Sequence, residues 1–206
     1  MSDTGPGPRD YAGLPALDGG RVIHIHEDDY GLRALHPLAA RAEVRTDLAA
    51  AVKSGIEHEA PGGGWTQMHV ITPPRATFAG TGLSLEALKA ALAAHLPRVS
   101  RFVMTAGGGF TPGSHDSYGV YDDAPVCYGF DEEAYVIVET GGAGGHGAVQ
   151  AIHFERSTEN PASLTALAAA LRAVDALTPC LLADYAWDVE GAVADAAWFE
   201  GYWRMG

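Results

Sequence analysis

The sequence predicts an α+β fold, with a mainly antiparallel sheet of five to six strands and helices packed mostly on one face. Three observations carry that expectation. Short segments alternate apolar and polar residues with period 2, and two stretches place leucines at helical spacing behind a capping residue. The segments also follow one another as β-α-β-α-β, a loop, then β-β-α and a last strand and helix, which suits a sheet with its helices gathered on one side.

Residues 1–20, MSDTGPGPRDYAGLPALDGG, lack both a basic start and an apolar run, so a flexible leader rather than a secretory signal is expected there. A single α+β domain is expected over residues 21–206. In RVIHIHEDDYGL, Ile23 and Ile25 alternate with Val22, His24 and His26, which reads as a strand running into an acidic turn. A helical segment follows from about Pro37 to Lys53, with Leu38, Leu48 and Val52 on one face and Gly55 as its stop. APGGGW reads as loop. TQMHVIT, residues 66–72, reads as a second strand that places Met68 and Val70 inward and ends at Pro73-Pro74.

Ser84 caps a helix carrying Leu85, Leu88, Leu92 and Leu96, closed by Pro97. RFVMT at 101–105 is a third strand, and the Gly-, Pro-, Asp- and Ser-rich stretch from Ala106 to Ala124 reads as a long loop. VCYGF suits a short strand. AYVIVET and AVQAIHFER form a hairpin joined by GGAGGHG. The clearest helix begins with an Asn160 cap and Pro161 at its first position, with Leu164, Leu167, Leu171 and Val174 as its stripe. CLLADY then reads as a strand and VEGAVADAAWF as a last helix. The predicted core includes Ile23, Ile25, Val70, Val136, Val138 and Leu167.

Composition narrows the function classes. Hydrophobic residues make up 47% and charged residues 19%, which fits a globular chain. The longest apolar helical stretch, SLTALAAALRAVDAL, is interrupted by Arg172 and Asp175, so no membrane partner is expected. The two cysteines, Cys127 and Cys180, have neither zinc nor redox spacing and sit beside apolar residues, so buried thiols and a cytoplasmic location are the expectation.

Net charge is −13, and it is uneven: residues 1–101 carry 11 acids against 10 bases, while residues 102–206 carry 15 acids against 3 bases. Phosphate contacts need clustered Lys and Arg, so nucleic acid is not expected as a partner. A basic protein, or a cation, is favoured by the same field. The acidic run YDDAPVCYGFDEE supplies candidate contacts in Asp122, Asp123, Asp131, Glu132 and Glu133. It lacks the spaced acids and central Gly of a calcium loop, and reads as a solvated charged loop.

Other motifs fail on context. Gly142, Gly144 and Gly147 satisfy G-x-G-x-x-G, but the strand-like AVQAIHFER follows where a dinucleotide site needs a helix N-terminus. Ser114-His115-Asp116 holds three triad residue types whose adjacent side chains diverge. No P-loop, H-E-x-x-H or EF-hand pattern is present.

If the apolar set of every strand faces the helices, strand parity gathers His24, His26, His69 and His153 with Glu139 and Glu155 on the opposite face. Imidazoles on neighbouring strands are close enough to share a divalent metal such as zinc, with Glu139 or Glu155 as general base; no other cofactor is expected. Two functional expectations result. The charge balance favours a non-catalytic binding domain that engages a basic partner through its acidic C-terminal half. The alternative is a metal-dependent, hydrolase-like enzyme built on the histidine face.

Overall fold

The computed structural model describes residues 22–26, 30–61, 66–67, 69–99, 101–105, 117–121, 126–141 and 147–205. The expected leader, the G-x-G-x-x-G loop apart from Gly147, Met68, Asp122 and Asp123 lie outside them. The strands are β1 (Val22–His26), β2 (Arg33–Pro37), β3 (Arg101–Thr105), β4 (Ser117–Tyr121), β5 (Val126–Asp131), β6 (Ala134–Thr140), β7 (Val149–Arg156), β8 (Cys180–Asp184) and β9 (Val189–Ala192). The helices are α1 (Arg41–Glu57), α2 (Leu85–Ala93), α3 (Pro161–Leu177) and α4 (Ala196–Tyr202).

Six strands form one antiparallel sheet in the order β5-β6-β7-β2-β8-β9. The α+β fold is therefore as expected. A second sheet, β1-β3-β4, pairs β1 with β3 in parallel and β3 with β4 antiparallel. Among the described residues no helix is long and apolar enough to cross a membrane.

The main sheet buries both faces. On the first, Leu35, Val136, Val138, Ile152, Phe154, Cys180 and Leu182 share a core with Leu88 and Leu92 of α2, Leu167, Leu171 and Val174 of α3, and Phe199 and Tyr202 of α4. On the second face, Cys127, Tyr135 and Ile137 pack with Ile23 and Ile25 of β1 and with Val99. Further along that face, Leu181 and Ala183 pack with Ala40 and with Val44 of α1. Ile23 and Ile25 are thus buried as expected, but on the side of the main sheet opposite Val136 and Val138.

Local chemistry explains the helix ends. The Asn160 side chain accepts from Ala162 N and Ser163 N, with Pro161 in the first turn where its missing N–H costs nothing. Ser84 accepts from Ala87 N, and Asp195 from Trp198 N. Gly129 allows close strand approach at the irregular β5–β6 pairing: a Cβ there would meet Ala134 O at 2.5 Å.

Four local expectations are corrected. Residues 33–37 are a central strand rather than the approach to a helix, and a 3₁₀ turn at Leu38–Ala40 delays α1 to Arg41. That delay rotates the helix: Val44 and Leu48 are buried, while Leu38 and Val52 are exposed. The described part of 66–72 is not a strand, and Val70 is 82% exposed. Its end and the residues after it are tied to α1 instead, Thr72 N donating to Asp47 and Arg75 N to Glu43. At the C-terminal end, residues 189–192 pair with β8 as a strand, and α4 begins only at Ala196. Within the expected loop at 106–124, residues 117–121 form β4.

Candidate functional site

Strand parity places the site. Leu35 pairs with Ile152, and both enter the first-face core, so their neighbours Ala34, His36, Ala151 and His153 turn to the second face. This stretch lies between the cover supplied by β1 and that supplied by α1. The small side chains of Ala34 and Ala151 leave room there, and residues 71–78, irregular and rich in proline, run over it. The result is a cavity of about 270 Å³ whose wall includes His36, Ile71, Phe78, Glu139, His153 and Tyr185.

Its polar groups are incompletely matched. His36 Nε2 and His153 Nδ1 are buried, and neither has a hydrogen-bond partner among the described residues. Burial pushes the His36 imidazole down to about 4, helped by the nearby His153. Burial likewise lowers His153, with Glu139 acting in the opposite sense. Both rings are therefore neutral at pH 7. The His153 ring tilts against Tyr30 with centroids 4.9 Å apart, and its Nε2 lies 3.9 Å from Glu139 Oε1. The Tyr30 hydroxyl donates to Glu139, whose side chain remains 40% exposed.

The other expected residues go elsewhere. Glu155 accepts from Arg33 Nη1 at both oxygens, at 2.7 and 2.6 Å, and from Arg156 N at 2.7 Å, while Arg33 Nε donates to Asp184 at 3.0 Å. The Tyr202 hydroxyl donates to the same Asp184, and burial together with that carboxylate raises the tyrosine's pKa. Arg156 stacks over Trp187, Tyr202 and Trp203 and donates to the carbonyls of Tyr202 and Met205, which fastens α4 to the sheet. Glu155 thus belongs to a buried ionic core, not to an open histidine face.

His69 Nε2 lies 3.1 Å from Asp47 Oδ1, and Asp47 Oδ2 accepts from the Tyr185 hydroxyl at 2.9 Å. His69 borders a different, wider groove with Gln67, Val52 and Ile56. His24 and His26 lie on β1, paired in parallel with Val103 and Thr105 of the second sheet. The strands expected to share one face do not share one sheet, so parity does not gather the four histidines. Among the described residues, no three His, Cys, Asp or Glu side chains are placed to hold one metal ion.

Cys127 and Cys180 are free and buried, and burial pushes both thiols up to about 12, so they are poor nucleophiles. Glu132 and Glu133 are exposed at the β5–β6 turn, where Asp131 accepts from Glu133 N.

His36 was missed because Pro37 and Leu38 read as a helix start. The signal that could have found it is the alternation in Arg33-Ala34-Leu35-His36-Pro37, with proline closing a strand. No protein-family model, curated protein or solved structure matches the chain.

Proposed function

We propose that this protein is a non-catalytic binding protein whose site is the cavity over His36 and His153. The supporting observation is that two imidazole side chains, each with a buried nitrogen that has no hydrogen-bond partner among the described residues, line one cavity. A buried polar atom left unpaired costs about 1–3 kcal/mol, and such atoms are rare enough in folded proteins to call for a partner. A ligand that hydrogen-bonds to the wall supplies one. At about 270 Å³ the cavity falls just below the range of drug-sized pockets, which suits a small molecule with an apolar part against Ile71 and Phe78.

Such a residue serves binding at the expense of stability. His36→Leu should therefore leave the free protein as stable at pH 7 or stabilise it, by up to about 1–3 kcal/mol in urea unfolding. Because the folded pKa of His36, about 4, lies below its ordinary 6.5, the unfolded chain takes up a proton in that window that the folded chain does not. Stability contributed at this site falls as pH drops from 6.5 towards 4, by about 1.4 kcal/mol per pH unit, and is flat above. The leucine variant should lose that part of the slope. Marked destabilisation at pH 7 would mean the imidazole is needed by the fold, and would remove the support for binding.

A second reading keeps the basic protein partner, engaged through the exposed Glu132 and Glu133 of the acidic half. Its mark would be partner affinity that falls steeply between low and high salt; indifference to salt would count against it. The metal-dependent enzyme finds less support, since Glu155 is committed to Arg33 and His69 to Asp47.

A further inference from the structure

We infer that the ligand of this cavity is a small amine with an apolar body, its ammonium group held by Glu139; this rests on the binding reading above. Three features lead to it.

The first is charge. Among the described residues lining the cavity there is no Lys or Arg, and Glu139 is the sole residue that is charged at neutral pH. An anion would enter a low-dielectric wall that offers one carboxylate and no counter-charge.

The second is that Glu139 has no Lys or Arg partner among the described residues, whereas the carboxylates of Glu155, Asp184 and Glu190 do. Glu155 and Asp184 are paired with Arg33, and Glu190 with Arg41 and Arg45. Asp47 holds His69, the Tyr185 hydroxyl and Thr72 N. Glu139 has the neutral Tyr30 hydroxyl, and the neutral His153 ring at 3.9 Å.

The third is donor count. An ammonium group carries three donors and no acceptor. The wall offers a carboxylate and two neutral imidazole side chains, and a neutral imidazole carries one nitrogen that can accept. Hydrocarbon beyond the nitrogen meets Ile71, Pro73, Pro74 and Phe78.

The test uses the full chain at pH 7 and three probes of one shape: benzylamine, benzyl alcohol and benzoate. Binding is read by titration calorimetry, and its location by the ring NMR signals of His36 and His153. Benzylamine should bind most tightly and benzoate not at all. Glu139→Gln should weaken benzylamine about tenfold, the scale of one charge-assisted hydrogen bond, and leave benzyl alcohol unchanged. An unchanged melting temperature would show that this half-exposed substitution leaves the fold intact. If benzyl alcohol or benzoate matches benzylamine while shifting the histidine signals, or if Glu139→Gln binds benzylamine as before, the amine assignment is overturned and the binding cavity stands. If no probe shifts those signals at concentrations on the order of 10 mM, the amine assignment and the binding reading fall together.

Discussion

Arg33→Met should destabilise the protein by about 3–5 kcal/mol, because it leaves the Glu155 and Asp184 carboxylates buried without their counter-charge. Asp184 is fully inaccessible and Glu155 nearly so, which leaves water little means to compensate. Burial works against the charge on Arg33, but the two carboxylates outweigh it and raise its pKa. Methionine keeps the hydrocarbon stem, so the loss reads mainly as charge. Urea unfolding measures the change. Combining Arg33→Met with Asp184→Asn and Glu155→Gln should recover a large part of it, since the stranded charges are then gone. No recovery in the triple variant would mean that Arg33 acts through packing.

Leu167→Ala should cost about 2–5 kcal/mol, with a lower urea midpoint at unchanged slope. Leu167 is completely buried at the centre of α3, in the core shared by Leu88 and Leu92 of α2 and Val136 and Val138 of β6. Two helices and the sheet enclose it, so the cavity left by truncation has little means to collapse. A loss below about 0.5 kcal/mol would mean that α3 does not present this residue inward.

Elements with complete local signals were legible in the sequence. α3 announced its start through Asn160-Pro161 and its buried face through Leu167, Leu171 and Val174, and all three are buried. The β6–β7 hairpin was equally clear, with Ala134 to Glu139 registered against Arg156 to Ala151. β2 was not legible. Its five residues offer one leucine between a small residue and a histidine, and its burial comes from pairing with β7 and β8, which no local pattern reports.

The histidine face failed for a related reason. Gathering side chains by parity requires one wet face, but Ala134-Tyr135-Val136-Ile137-Val138 has no strongly polar member, and strands covered on both sides read as unbroken apolar runs. His153 and Glu139 could be singled out by parity. His36 could not be joined to them until the register of β2 was known.

That central position of β2 also sets how the molecule must assemble. It is the earliest strand of the six-stranded sheet in chain order, yet Arg33 meets Glu155 after 122 residues and Asp184 after 151. β5-β6-β7 can form as one local meander and β8-β9 as one local hairpin, but the two do not pair with each other. Closure of the sheet waits on a distant segment that must enter between them, a high-contact-order event and therefore a slow one. Until it arrives, two unpaired edges border a slot one strand wide, open to any extended chain. At high concentration during refolding, the same strand from a second molecule fits that slot as well as the protein's own, so exchange of this segment between two chains is the misassembly this topology invites.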